Sequence, residues 1–251
     1  MSDSEFSPST VELQSLMTKR WSPNLLCSVV ACIVGGLIGC GLVRAIDPFF
    51  QFESLSELGI SPPPELIAKY NAAKIAFWSS NYALNFGLIG LSLGLTVGLI
   101  TTRINRIISG LAGGVGGLLG GALAGYVLGI FVAKALIASE DQSLVQSALL
   151  HFAIWASMFA PIILIVGFAQ DGPVNAASYL TVGIVAPFVV SVVYNVASSV
   201  IFADANLIKL IPQSSLEQGV WVLVCSVGLG TGLYFGSQSN GQSHLAAGPT
   251  L

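Results

Sequence analysis

Six stretches of nearly unbroken apolar residues organise this chain, at about 25–46, 83–100, 107–137, 148–169, 179–203 and 220–235. Each is close to the roughly 20 residues an α-helix needs to cross the hydrocarbon core of a bilayer. Short polar connections separate them: Thr101 to Asn105 and Arg106, Ser139 to Ser143, and Gln170 to Pro173. The pattern predicts an all-α, polytopic transmembrane helix bundle of about six spans, occupying residues 23–236. Residues 1–22 are polar and end in Lys19, Arg20 and Trp21, which predicts a disordered tail closed by a short membrane anchor. Residues 237–251 are rich in Gly, Ser and Gln and read as a second disordered tail.

The longest connection, 47–80, carries structure of its own. Phe49, Phe50 and Phe52 follow the exit of span one and suit the membrane interface. Ser61-Pro62-Pro63-Pro64-Glu65 is a helix start, with a Ser cap, prolines where backbone donors are unpaired, and an acid in the first turn. Leu66, Tyr70, Ala73 and Phe77 recur at helical spacing. They predict an amphipathic stem helix that runs through Trp78 and Tyr82 straight into span two. The run 107–137 is too long for an upright span, so it tilts or leaves the membrane beyond Ala133, with Lys134 snorkelling to the interface.

Span three carries nine glycines between Gly110 and Gly129. In water each would cost a helix about 1 kcal/mol against Ala; in lipid they let backbones approach closely. Gly113, Gly117, Gly121, Gly125 and Gly129 recur every four residues, and Gly110, Gly114, Gly116 and Gly120 widen the strip. Such a glycine zipper predicts a helix in the middle of the bundle, touching at least two neighbours. Matching strips are Gly90, Gly94 and Gly98 on span two, Gly228, Gly232 and Gly236 on span six, and Gly35 with Gly39 on span one. The strip on span three resembles the glycine-rich helix of rotor-ring c subunits of ATP synthases. Those rings need a carboxylate inside the membrane, and no Asp or Glu here falls mid-span.

Composition agrees with the pattern: the chain is 54% hydrophobic and 8% charged, against about 25% charged in soluble domains. Its net charge of −3 offers no basic surface for nucleic acid. The four cysteines, Cys27, Cys32, Cys40 and Cys225, lie inside apolar runs, where thiols act as small apolar residues rather than a disulfide framework. Leu37-Ile38-Gly39-Cys40 resembles a bacterial lipoprotein cleavage box, which makes Cys40 a candidate lipidation site. The long polar leader and the apolar run that continues past Cys40 favour an uncleaved anchor helix instead.

Reactive chemistry is sparse. Arg44, Lys134, Asp171, Asp204 and Glu217 all sit at or beyond span ends. His151 and His244 are isolated from each other, so neither a metal site nor a cofactor is expected. No Ser-x-x-Lys accompanies the serines, and no catalytic residue is assigned. Pro161 and Pro187 fall inside spans four and five and free backbone carbonyls there. Beyond Pro187, Ser191, Asn195 and Ser198 share a helical face that either lines a polar path or bonds neighbouring helices. The expectation is therefore a non-enzymatic membrane component, structural, assembly or accessory, packed through glycine strips. The alternative is a permease or channel for a small uncharged solute. Lys19, Arg20, Arg103 and Arg106 fall on one side and Lys69, Lys74, Lys134 and Lys209 on the other, so the count does not decide. The first set lies against membrane entry points, and the expectation is both termini on the cytoplasmic side of a plasma membrane, read as a bacterial inner membrane. The expected partners are membrane lipid and a homo-oligomer or larger membrane complex.

Overall fold

The computed structural model describes residues 25–46, 48–51, 63–102, 105–138, 143–172, 176–202, 210–212 and 214–246. They form six helices: α1 (Leu25–Ile46), α2 (Pro64–Thr101), α3 (Arg106–Ala138), α4 (Leu144–Asp171), α5 (Ala176–Ile201) and α6 (Ser215–Ala246). All six are long and apolar enough to cross a membrane, and no strand occurs among the described residues. The chain is an integral membrane protein. Both the polar leader 1–22 and the stretch 52–62, which holds Phe52 and Ser61, lie outside the described residues.

Helix starts fall where local hydrogen bonding puts them rather than where the apolar pattern begins. α4 starts at Leu144, four residues before its apolar run. Ser143 accepts from the Gln146 backbone N–H at 3.2 Å, and the Gln146 side chain accepts from the Ser143 N–H at 3.0 Å. α6 likewise begins at Ser215, because Ser214 and Glu217 make the same reciprocal pair at 3.1 and 3.3 Å. Each capping box satisfies backbone donors that would otherwise be orphaned, so the helix reaches back into polar sequence. α2 has Pro63 at its N-cap with no side-chain bond and Pro64 in its first turn, so the start falls later than Ser61. The stem and span two are one helix of 38 residues, about 57 Å long at the standard rise. α6 runs on as helix to Ala246, past the residue where the apolar pattern stops. The turns are tight: Asn105 and Gly172 hold φ of 55° and 74°, a left-handed conformation that Asn and Gly tolerate best.

The helices pack as two nested sets. α2, α4 and α6 bring large side chains to the centre; α1 wedges against α2 and α6, α3 against α2 and α4, and α5 against α4 and α6. Thin contacts of α4 with α2 and with α6 close the inner set. α4 supplies the largest share of the interior, with Ile154, Trp155, Phe159, Ile162, Ile163 and Val166 wholly buried. Pro161 and Pro187 sit inside continuous helices.

This arrangement corrects the expectation that glycine-rich α3 lies in the middle of the bundle. It does touch two neighbours, but Ile107, Leu111, Val115, Leu119 and Leu123 form an outward-facing apolar ridge. A flat helix can approach another backbone, yet it has no bulk to fill an interior packed to crystalline density. The centre goes to helices with large side chains.

Candidate functional site

Three features hold the polar and glycine chemistry of the bundle. The first is the α2–α3 contact. A Cβ placed on Gly90 would strike the Gly117 carbonyl, and one on Gly94 the Gly113 carbonyl. One on Gly98 would lie 2.6 Å from Gly110 Cα. Gly121 and Gly125 rest on the Phe86 and Tyr82 carbonyls, and Gly129 on Ser79. As numbers rise along one helix they fall along the other, so the pair is antiparallel and in register over the whole span. Gly116 and Gly120 turn to α4, against Ile165, Ser157 and Pro161. The other strips serve other pairs. Gly228, Gly232 and Gly236 meet Val190, Val182 and Tyr179 of α5 rather than α3. Gly35 and Gly39 of α1 meet Thr96, Leu93, Ser92 and Ile89 on the face of α2 away from α3. Cys40 is buried on an α1 that passes it without a break.

The second feature is the α4–α5 seam. Ser191, Asn195 and Ser198 all face inward, and Asn195 has no exposed surface. Ser147 of α4 donates its hydroxyl to Asn195 Oδ1 at 2.6 Å, and Asn195 Nδ2 donates to the Ser191 carbonyl at 2.8 Å. Ser191 donates to the Phe188 carbonyl at 2.8 Å. Ser199, one residue along, faces outward. Next to Ser147, His151 Nδ1 lies 2.9 Å from the Ser147 carbonyl. A carbonyl only accepts, so Nδ1 carries the proton and neutral His151 presents a bare Nε2. His151, Tyr194 and Trp155 stack at ring-centroid distances of 5.1 to 5.7 Å, and Trp155 meets Trp221 of α6 at 5.8 Å. Phe86 of α2 joins Trp221 at 6.4 Å, which closes an aromatic layer across the inner helices. His151 Nε2, Trp155 Nε1 and Trp221 Nε1 are buried and make no hydrogen bond among the described residues. Such groups are rare in folded proteins and cost on the order of 1–3 kcal/mol each unless water or a ligand meets them.

The third feature is a pocket of about 520 Å³ above that layer, at the end of the bundle where α1 stops and α2 continues as the stem. Its walls are Val43 and Arg44 of α1, Phe77, Trp78, Asn81, Tyr82 and Asn85 of α2, and Ser215 and Gln218 of α6. Pro48, Ile211 and Pro212 complete its rim. Three side chains tie that rim down. Asn81 Nδ2 donates to the Phe50 carbonyl while Asn81 Oδ1 accepts from the Phe50 N–H, both at 3.1 Å. Gln218 Nε2 donates to the Pro212 carbonyl at 2.8 Å, and Gln218 Oε1 accepts from Arg44 Nε at 2.5 Å. The pocket is thus built, not left over between helices.

The sequence pattern anticipated the close-packed glycines of α2 and α3 and the shared face of Ser191, Asn195 and Ser198. It missed the pocket and the aromatic layer. One signal was available: Asn81 and Asn85 are amides four residues apart where the stem enters the apolar run, beside Trp78 and Tyr82. No group of His, Cys, Asp and Glu able to hold a metal occurs among the described residues. No family model matches the chain, and neither a curated protein nor a solved structure is similar to it.

Proposed function

We propose that this integral membrane protein is a non-catalytic component of a plasma membrane, a structural, assembly or accessory subunit held together by its glycine zippers. What carries the reading is the α4–α5 seam, where the most polar residue deep in a span is wholly buried and bonded to its neighbour helix. Polar groups used in this way glue helices and leave no lining for a passing solute. No charged side chain comes from the middle of a span to support pumping or acid–base chemistry. The lipid-facing ridges of α3 and α5 give the subunit surface for lipid, a second copy or a larger membrane complex. Lys19, Arg20, Arg103 and Arg106, set against membrane entry points, support the reading that both termini are cytoplasmic in a bacterial inner membrane.

The test is water accessibility of single cysteines at positions 191, 195 and 198 toward a charged maleimide. Uniform protection is expected. Labelling at all three, from either side, overturns the reading in favour of transport. The same assay sets the orientation: position 103 labels only from the cytoplasm and position 53 only from outside.

One observation favours the second reading, a permease for a small uncharged solute. The unbonded Nε atoms of His151, Trp155 and Trp221 lie in the layer below the loop-end pocket, and a polar solute would satisfy them. In that case the aromatic layer is a closed gate, and Trp221→Ala would raise solute leak in proteoliposomes. An unchanged leak removes this support.

A further inference from the structure

We infer that the loop-end pocket binds a phosphate or carboxylate group through Arg44, with the apolar part of the same ligand against the aromatic wall of α2. This goes beyond the reading of the protein as a non-catalytic component and does not depend on it.

Arg44 is the one charged side chain among the described residues that line the pocket. Its Nε–H is committed to Gln218, and no carboxylate lies within ion-pair distance of it among the described residues. Gln218 is itself held at both ends, by Arg44 and by the Pro212 carbonyl. The guanidinium is therefore oriented by a neutral partner that, among the described residues, leaves its charge uncompensated and its two terminal amino groups without a hydrogen bond. That edge presents paired donors, the geometry that grips a carboxylate or phosphate with two parallel bonds. Fixing the fork in advance removes much of the entropy cost of using it.

The remaining walls say what carries the anion. Trp78 packs between Phe77 and Tyr82 with ring centroids 5.6 and 5.5 Å away, giving a continuous aromatic wall. The volume falls within the range of about 300–1,000 Å³ typical of small-ligand sites. A guanidinium beside an aromatic wall at a membrane end matches an anionic amphiphile, with the headgroup on Arg44 and apolar carbon against Trp78. A simpler role for Arg44 is to complement the C-terminal dipole of α1. That role predicts an effect on stability but no selectivity among headgroups, so the two separate by experiment.

The full-length protein is purified in neutral detergent, and its retention of phosphatidylglycerol against phosphatidylcholine is read by native mass spectrometry. Wild type should prefer the anionic lipid by about tenfold, the factor that one charge-assisted hydrogen bond confers. Arg44→Gln should erase the preference, while Lys134→Gln, a change to an exposed cation near the same membrane end, should keep it. If Arg44→Gln does not fold, Gln218→Glu carries the test. A carboxylate at 218 would pair with Arg44 and abolish anion preference in a folded protein. A parallel arm adds glycerol 3-phosphate without lipid; binding there that depends on Arg44 assigns the pocket to a soluble anion instead of a headgroup. The inference is overturned if neither anion binds, if Arg44→Gln keeps the preference, or if Lys134→Gln removes it as fully. Cysteine protection at 191, 195 and 198 is unaffected by any of these outcomes, so the two tests fail separately.

Discussion

The α2–α3 contact and the α4–α6 centre are joined in opposite ways. Along α2–α3 backbone rests directly on backbone where Gly90, Gly94 and Gly98 face Gly117, Gly113 and Gly110. Between α4 and α6 the space is filled by side chains, with Trp155 on Trp221 and Phe86 against them. Lipid is as apolar as either interface, so burying carbon gives neither one the advantage it would have in water. What remains is dispersion, which rewards close approach in the first case and shape fit in the second. The glycine contact tolerates no added atom. The aromatic contact tolerates loss better, because neighbours can partly relax into the space.

That contrast ranks the effects of substitution. The largest should come from Gly117→Leu, whose side chain would have to pass through the Gly90 carbonyl. The expected cost exceeds about 5 kcal/mol, the lower end of whole-protein stability, so the variant should fail to give a monodisperse peak in size-exclusion chromatography. A normal peak would break the comparison by showing that the helices can move apart.

Trp155→Ala comes next. It should lower unfolding free energy by about 3 kcal/mol in detergent titration, at the low end for a buried Trp because lipid-soluble surroundings reduce the transfer part. The protein should still fold. A complete loss of folding would mean that the aromatic centre is as intolerant as the glycine seam.

Asn195→Leu should cost about 0.6 kcal/mol, the mean for a hydrogen bond between membrane helices. A double-mutant cycle with Ser147→Ala should assign most of that to the 2.6 Å contact between them. A cost of several kcal/mol would move the seam from glue to something the bundle cannot do without. The smallest effect belongs to Leu119→Ala on the lipid-facing ridge of α3, 64% exposed, with a change below about 0.5 kcal/mol. A larger loss would indicate that the ridge is covered by another protein surface.

Much of this was already legible along the chain. Six apolar runs fix six spans, because each crossing must satisfy its own backbone within a helix. The four-residue glycine period fixes which face of α3 meets another backbone, since that spacing stacks residues on one side. The inward placement of Ser191, Asn195 and Ser198 follows from the cost of a polar group in hydrocarbon. Which helix answers which strip did not follow. α2, α6 and α1 all offered glycines, and only packing decided that α2 faces α3 while α6 faces α5. Nor could period alone say that α3 lies outside and α4 inside, because interior position is won by the volume needed to fill it. The pocket is further still from the linear pattern. Arg44, Asn81 and Gln218 come from three helices, and each looks like an ordinary span-end polar residue until the early stop of α1 and the long stem of α2 bring them together.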